Sequence, residues 1–310
     1  MRVLVTGGTG YLGAAIVRAL ASRGHTPVVF ARRATSAALP GAAIDGDIRD
    51  LPAVRSAADG ADAIVHAAAL VSIWRERPVE FHEVNVGGLH NVLDATRTLG
   101  IRRLVYTSSF LALPPSGAAL ALDANDYQRT KREALGVARA AATSGAPIVI
   151  LYPGVIYGPG PVTEGNLLGR LLRDHLAGRL PGVIGADRCW SFAYVDDVAR
   201  GHVMAMETVH ATGEYTLGGE NAPQMRAFEI ARQHTGAKLP RRIPAAIAYA
   251  AAAIDEARAR LTARAPLLTR GAVEIFRHDW SLDSGRSTRE LGYRITPLTQ
   301  GVQATLNGLS

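Results

Sequence analysis

The sequence predicts an α/β fold built on a doubly wound parallel β-sheet. Short apolar segments alternate with longer amphipathic segments through the first half of the 310 residues, a pattern typical of repeated strand and helix units. The short segments are apolar without polar alternation, as expected for strands covered on both faces. Apolar residues make up 48% of the composition, so the chain can bury a large core.

Each element follows from its own local pattern. The predicted strands are residues 3–5, 27–30, 43–44, 63–66, 104–107 and 148–152, and the predicted helices are residues 11–23, 51–59, 79–99 and 126–144. The second half differs, because prolines and glycines interrupt shorter helices. A strand pattern recurs there only at residues 215–217.

The turn after the first strand carries glycines at three-residue spacing. Gly7 allows the chain to turn sharply, Gly10 leaves the backbone open to a pyrophosphate, and Gly13 lets the next helix pack closely on the sheet. The amides at the start of that helix then face the anion. The residues predicted to bind a dinucleotide in this loop are Gly7, Thr9, Gly10, Tyr11, Leu12 and Gly13.

Two regions are predicted from this pattern. Residues 1–157 form a dinucleotide-binding domain of the Rossmann type, to which residues 192–221 return. Residues 158–191 and 222–310 form a smaller, mostly helical region. Ligands of such sheets bind beyond the carboxyl ends of the strands, so we expect this second region to build the substrate pocket there.

Tyr127 and Lys131 are four residues apart on a predicted helix and therefore share one face. A phenol has an ordinary pKa of about 10, so acid/base catalysis at neutral pH requires its ionised form to be stabilised. A desolvated Lys131 ammonium can contribute to this. Such a pair is otherwise a solvent-exposed helical contact, but its position after the fifth strand favours catalysis.

The fifth strand runs into Ser108 and Ser109, which places hydroxyl groups at the same edge of the sheet. Serines at strand ends commonly form turns. With Tyr127 and Lys131 downstream, we favour a catalytic role for Ser109, whose hydroxyl can hold a substrate carbonyl.

These motifs together resemble the extended short-chain dehydrogenase/reductases, the NAD-dependent epimerase/dehydratase superfamily. The resemblance covers nearly the full length, with further similar segments at residues 46–50, 66–69, 85–88, 152–160 and 192–199. It implies that Ser109 is the catalytic hydroxyl, Tyr127 the acid/base and Lys131 a ribose-binding lysine.

The resemblance also implies further cofactor contacts. Asp47 and Ile48 correspond to a pair that contacts the adenine, and Ala67 and Ala68 to backbone that lines the adenosine. Residues Pro153 and Val155 correspond to the segment that contacts the nicotinamide amide, although a Pro-Gly sequence is also a common turn.

The end of the second strand predicts the choice of cofactor. Ala31 and Arg32 stand where an NAD-specific site places an acidic residue that binds both ribose hydroxyls. An arginine can instead pair with a 2′-phosphate, so NADP(H) is favoured over NAD(H). The alternative is that Arg32 is an ordinary surface residue of an arginine-rich chain.

Three functions are compatible with these residues. The first is NADP(H)-dependent reduction of a ketone, or oxidation of the matching alcohol, on an apolar small molecule, as in the similar dihydroflavonol-reductase and 3β-hydroxysteroid-dehydrogenase branch. The second is a nucleotide-sugar epimerase or dehydratase using NAD(P). The third is a non-catalytic NADP-binding sensor, against which the complete Ser/Tyr/Lys set argues.

Trp190 distinguishes the first two functions. Sugar-nucleotide enzymes of this family commonly carry an arginine at the equivalent position, and an indole cannot neutralise a diphosphate. We therefore predict the reductase. Trp74, Trp190 and Phe192 are predicted to line its substrate pocket, with a plain core role as the alternative.

Composition argues against other classes. The net charge is +7, but the arginines are scattered, so we predict no nucleic-acid partner. Cys189 is the single cysteine, which suits the reducing cytoplasm. His66, His82 and His90 lack ligands at metal spacing, so no metal is predicted. A homodimer is compatible with the sequence.

The apolar segment at residues 243–254 is too short to span a bilayer and is soon followed by charges. We interpret it as a core or lid helix, with docking on a membrane surface as the alternative.

Overall fold

A computed structural model describes residues 1–262 and 264–309. The strands are β1 (Arg2–Thr6), β2 (Thr26–Ala31), β3 (Ala42–Asp45), β4 (Ala63–His66), β5 (Leu104–Thr107), β6 (Ile148–Pro153), β7 (Val155–Tyr157), β8 (Val183–Ile184), β9 (Cys189–Tyr194), β10 (Gly213–Leu217), β11 (Glu220–Pro223) and β12 (Arg242–Ile243). The helices are α1 (Tyr11–Ser22), α2 (Leu51–Ala58), α3 (Val79–His82), α4 (Gly88–Thr98), α5 (Asp126–Thr143), α6 (Leu167–Leu176), α7 (Val195–Glu207), α8 (Gln224–Thr235), α9 (Ala245–Thr262), α10 (Arg270–Phe276), α11 (Gly285–Leu291) and α12 (Leu298–Asn307).

A seven-stranded sheet forms the centre of the molecule, in the order β10-β6-β5-β4-β1-β2-β3. Every neighbouring pair in it is parallel. The chain therefore enters at β1 in the middle of the sheet and winds outward in both directions. This confirms the predicted fold class. It also brings the carboxyl ends of β1, β4 and β5 together at one edge.

Both faces of this sheet are covered by helices. In β1, Val3 and Val5 pack under α1 and α7, whereas Leu4 faces the opposite layer with α2, α4 and α5; all three side chains are fully buried. Burial on both faces explains why the predicted strands are apolar without alternation. The strand β10, predicted at residues 215–217, extends the sheet beside β6.

The predicted helix over residues 79–99 is divided in the structure. A π-helical turn, Glu83–Gly87, separates α3 from α4. Gly88, the first residue of α4, packs so closely on Ile48 that an added Cβ would lie 2.9 Å from the Ile48 Cγ1 atom. The local pattern predicts helix throughout, and it contains no sign of the π turn or of the close contact between Gly88 and Ile48.

The expectation that residues 215–217 are the only strand in the second half is wrong. The strands β11, β9 and β7 form a three-stranded sheet, and β12 pairs with β8. These strands are short and mixed in composition, so their pairing depends on tertiary contacts that a local pattern does not contain. Strand β9 lies in the middle and positions Trp190 and Phe192.

Among the residues that the structure describes, no helix combines the length and apolar character needed to cross a bilayer.

Candidate active site

The glycine loop is shaped by close backbone packing. Gly7 has a positive φ of 71°, and a Cβ added to it would lie 2.6 Å from the Cα of Ala68. A Cβ on Gly13 would lie 2.1 Å from the carbonyl oxygen of Gly7. Both positions therefore require glycine, and the loop is held against the end of β4.

The start of α1 fits the pyrophosphate of a dinucleotide. Gly10 caps the helix without a side-chain hydrogen bond, and the first turn contains no acidic residue. A Cβ on Gly10 would approach only the Gly7 carbonyl, at 3.2 Å, so the other side of Gly10 is open. Uncapped amides beside open space suit an anion. Thr9 is exposed in the same loop, and Leu12 is half-buried.

Tyr11 closes one side of this loop. Its hydroxyl is buried and has no hydrogen-bond partner among the described residues. A Cβ on Gly158 would lie 3.1 Å from that hydroxyl oxygen, so Tyr11 packs directly against the loop after β7. Burial raises the pKa of the Tyr11 phenol, and the group is neutral.

The residues predicted to surround the adenosine lie at the ends of β3 and β4. Asp47 accepts hydrogen bonds from Arg49, which lower the pKa of its carboxyl below the usual value, with a smaller contribution from the charge of Arg32. Ile48 is buried. The Ala67 amide donates to the Thr6 carbonyl across β1 and β4 at 3.1 Å. Arg32 itself is exposed just after β2.

Ser109 and Tyr127 face each other beyond the end of β5. The Ser109 hydroxyl accepts from the Leu111 amide at 3.2 Å and begins a short 3₁₀ turn. Burial raises the pKa of the Tyr127 phenol, and its hydrogen bond with Ser109 opposes that rise. Asn125 caps α5 by accepting from the Gln128 amide, so Tyr127 lies in the rigid first turn.

Lys131 lies one turn further along α5 and is buried. Its ammonium donates to the Thr107 carbonyl at 2.8 Å and to the Tyr106 hydroxyl at 3.4 Å. Burial lowers the pKa of Lys131 to about 7. The structure thus places Ser109, Tyr127 and Lys131 together at the carboxyl edge of the sheet.

Tyr106 is a neighbour of Lys131 that the sequence analysis did not select. Its ring lies 5.0 Å from the Lys131 ammonium, within the range of a cation–π contact. His66 also stacks on the ring of Tyr106, with ring centroids 5.7 Å apart. Burial, followed by the charge of Lys131, lowers the pKa of His66 to about 3. Alternation along β5 places Tyr106 on the α5 side, a signal that could have identified it.

Asn85 is a second residue that the sequence analysis did not place in the site. The π turn directs its buried side chain toward α5, where its amide donates to the Thr130 hydroxyl at 3.0 Å. Its carbonyl oxygen accepts from the Leu70 amide at 2.8 Å. Asn85 therefore joins the loop after β4 to the helix that carries Tyr127 and Lys131.

Apolar residues lie beside Tyr127. The tyrosine packs against a cluster that we call the pocket cluster, which includes Phe110, Leu111, Val155, Trp190, Phe192 and Trp280. Trp190 stacks on Phe276, with centroids 5.0 Å apart, and its indole N–H donates to the His278 carbonyl at 3.0 Å. Pro153 is buried at the end of β6. Trp74 lies apart, half-buried in the loop after β4.

The described residues were compared with the arrangement that a metal site requires. In the described part of the chain, no group of three or more His, Cys, Asp or Glu side chains is arranged to hold a metal ion.

The doubly wound sheet, the glycine loop and the open start of α1 define a dinucleotide-binding α/β protein. Residues 3–218 match the model of the NAD dependent epimerase/dehydratase family. The chain belongs to this family, and it is an NAD(P)-dependent enzyme.

Named relatives cover nearly all of the chain. It is 32% identical to sterol demethylase protein B of Methylococcus capsulatus over 94% of this chain and 93% of that protein. It is 30% identical to a 3β-hydroxysteroid dehydrogenase/Δ5→4-isomerase of Mycobacterium tuberculosis over 96% of this chain and 87% of that protein. The crystal structure of Thermus thermophilus UDP-glucose 4-epimerase with NAD is also similar, with a TM-score of 0.77 and 25% identity over 100% of this chain and 99% of that one.

Proposed function

We propose that the protein is an NADP(H)-dependent oxidoreductase that reduces a ketone on an apolar small molecule or oxidises the matching secondary alcohol. Residues 1–157 and 192–221 would bind the cofactor, and residues 158–191 and 222–310 the substrate. We further propose that it acts in the cytoplasm, consistent with its single cysteine.

The observation that carries this proposal is the hydrocarbon surface beside Tyr127. The indole N–H groups of Trp190 and Trp280 donate to the backbone carbonyls of His278 and Ile275. Their polar atoms are therefore satisfied within the protein. Trp190, Phe192 and Trp280 are buried, and the half-buried Phe110 is the named member of the pocket cluster that presents apolar surface. Such a surface favours an uncharged substrate, because a diphosphate buried against it would lose its hydration.

A small cavity adjoins the same cluster and has the same character. It is lined by Val155, Leu167, Leu168, Leu171, Trp190, Phe192, Gln224 and Phe228. The amide of Gln224 donates to the carbonyls of Gly185 and Phe276. The rest of the lining is apolar, but the cavity, at about 10 Å³, is far smaller than a ketone substrate.

The three polar side chains of the site have distinct roles in the proposed reaction. When bound, the nicotinamide cofactor supplies or accepts a hydride. The Ser109 hydroxyl donates a hydrogen bond to the substrate carbonyl oxygen, and Tyr127 gives its phenolic proton to that oxygen as the carbon is reduced. The Lys131 ammonium stabilises the resulting phenolate and binds the cofactor ribose. Oxidation of an alcohol reverses the proton transfer.

Arg32 supports the preference for NADP(H). It is exposed directly after β2, and Ala31, not a carboxylate, ends that strand. Asp45, at the end of the neighbouring β3, accepts hydrogen bonds from the amide and hydroxyl of Thr35. That carboxylate is therefore engaged within the protein, and Arg32 is available to a 2′-phosphate.

A nucleotide-sugar epimerase is the second candidate, favoured by one cavity. Arg188, Arg242 and Arg277 line it, together with Asp187 and with residues of β8 and β12. Each guanidinium is already paired with a carboxylate, Asp279, Asp187 and Glu274 respectively. A diphosphate would have to compete with those carboxylates, and for this reason we place the epimerase second.

A ligand and substrate panel tests the proposal. Aryl and alicyclic ketones are offered with NADPH or NADH, and consumption of the reduced nicotinamide is followed by absorbance. Ketone-dependent NADPH oxidation, lost in Tyr127→Phe, is the expected result. UDP and dTDP sugars are tested in parallel by thermal shift, with Arg188→Ala as a control. A shift from a nucleotide sugar that Arg188→Ala removes, without ketone reduction, would overturn the proposal in favour of the epimerase.

A further inference from the structure

The Arg49 guanidinium is held between two carboxylates near the end of β3. Its Nε and Nη2 atoms donate to the two oxygens of Asp47, at 3.0 Å and 2.7 Å. The Arg49 backbone amide also donates to Oδ1 of Asp47, at 2.9 Å. On its other side, the Nη1 atom donates to Glu83 of the π-helical turn at 3.1 Å. Arg49 therefore binds both oxygens of Asp47 and fixes the direction of that carboxylate.

Asp47 lies beside the end of β2, which is followed by Arg32. The Gly46 amide donates to the Ala31 carbonyl at 3.0 Å, so the segment after β3 runs along the end of β2. The hydrogen bonds from Arg49 lower the pKa of the Asp47 carboxyl most, and the charge of Arg32 lowers it further. Asp47 is thus a carboxylate close enough to Arg32 to interact with it.

Arg32 itself has no hydrogen bond or ion pair with the residues that the structure describes. Without Arg49, the Asp47 carboxylate would be free to turn toward Arg32, because opposite charges attract. The same carboxylate would repel a phosphate bound to Arg32. With Arg49 in place, the charge of Asp47 is balanced and Arg32 remains open to an anion.

We propose that Arg49 determines specificity for NADP(H) by neutralising and orienting Asp47, which leaves Arg32 to bind the 2′-phosphate. Arg49 is a positioning residue, since it acts through Asp47. This inference rests on the proposed preference for NADP(H) and deepens it. A carboxylate has about four lone-pair sites, so the pairing with Arg49 is compatible with the adenine contact expected for Asp47.

A direct contact between Arg49 and the phosphate is the competing explanation. All three guanidinium nitrogens of Arg49 already donate to carboxylate oxygens of Asp47 or Glu83. A phosphate would have to compete with both carboxylates for the same group. The indirect role through Asp47 needs no such rearrangement.

Cofactor titrations of the full-length protein, without substrate, test the inference. Dissociation constants of NADPH and NADH are measured by fluorescence, and the readout is the ratio of the NADH constant to the NADPH constant. Effects on the adenine or pyrophosphate contacts cancel in this ratio, because both cofactors carry these groups. Arg49→Gln should lower the ratio about tenfold, since it leaves an unpaired carboxylate near the phosphate.

Asp47→Asn in the Arg49→Gln background separates the two explanations. It removes the charge that Arg49 neutralises, so the double variant should recover the wild-type ratio to within about threefold. Asp47→Asn alone should keep the preference for NADPH. A purely structural role of Arg49 would change both dissociation constants together and leave the ratio unchanged.

Arg55→Gln is the matched control for the loss of one surface arginine. Arg55 pairs with Asp94 at 2.6 Å, and its side chain is 43% exposed, compared with 44% for Arg49. It should leave the ratio at the wild-type value. Melting temperatures of Arg49→Gln and Arg55→Gln should both be close to wild type, because exposed ion pairs contribute little to stability.

Two results would overturn the inference while leaving the proposed function in place. The first is a wild-type ratio in Arg49→Gln. The second is a double variant with a ratio as low as that of Arg49→Gln, which would assign to Arg49 a direct contact with the phosphate. A wild type that binds NADH more tightly than NADPH would instead contradict the proposed cofactor preference, and the inference with it, before any variant is measured.

Discussion

The Lys131 ammonium lies 2.8 Å from the carbonyl oxygen of Thr107. This contact fixes α5 against the last residue of β5, two positions before Ser109. Because Tyr127 lies one turn before Lys131 on the same face of α5, the contact also holds the Tyr127 hydroxyl toward Ser109. The hydrogen bond between strand end and helix thus assembles the three residues.

Tyr127→Phe should separate chemistry from cofactor binding. It removes the transferable proton and leaves the ring, so turnover of a ketone with NADPH should fall at least ~10²-fold. The dissociation constant of NADPH, measured by fluorescence titration, should change by no more than a few-fold. Unchanged turnover would remove Tyr127 from its proposed role and favour the cofactor-binding sensor.

Tyr106→Phe should alter the ionisation of Lys131. The change removes the hydroxyl that accepts from the ammonium and keeps the aromatic ring. Losing an acceptor disfavours the charged form, so the alkaline limb of the pH–rate profile should move to lower pH. We expect kcat to fall about five-fold, since one hydrogen bond contributes about 1 kcal/mol.

Tyr152→Phe provides the control for that experiment. Tyr152 donates to Glu214 at 2.6 Å, away from Lys131. Removing the Tyr152 hydroxyl should leave the pH–rate profile unchanged. If both variants shift the profile alike, Tyr106 has no special relation to Lys131.

Lys131→Met should change how the stability of the cofactor-free protein depends on pH. Burial lowers the pKa of Lys131 from 10.5 to about 7, so the unfolded chain binds more protons between these values. The contribution of Lys131 to the wild-type free energy of unfolding therefore rises with pH across that interval. The destabilisation caused by burying its ammonium is largest below about pH 7. The melting temperature of Lys131→Met relative to wild type should be highest near pH 6 and should decline toward pH 10. A difference that is constant with pH would contradict a buried, destabilised ammonium.

Arg32→Asp combined with Arg33→Ala should reverse the cofactor preference. A charge-assisted contact to phosphate contributes roughly 1.5 to 3 kcal/mol, so NADPH affinity should fall by about one to two orders of magnitude. NADH affinity should be kept or should improve. Arg102→Asp, at an exposed arginine before β5, tests for a general charge effect. A wild type that already prefers NADH would show that Arg32 does not bind a 2′-phosphate.

The local sequence determined the alternating strands and helices of the first half of the chain. The bounds of β4 and β5 match the predicted residues 63–66 and 104–107, because a fully buried strand is apolar at every position. Gly7 and Gly13 could be assigned because a tight turn and a close helix contact each exclude a side chain. Tyr127 and Lys131 could be paired because four residues on a helix return to the same face.

Only the tertiary structure decided which surfaces are covered. The short strands around β9 pair residues that are far apart in sequence. The contacts of Asn85 with Thr130 and of Tyr106 with Lys131 do the same. The periodicity of a local segment therefore cannot predict them. Helix α9 shows the same limit. Its apolar first half does not show which side of the helix is buried, and the fold covers Ala248 and leaves Ile254 exposed. A local pattern reports what a segment can bury, whereas the packing of distant segments determines what it does bury.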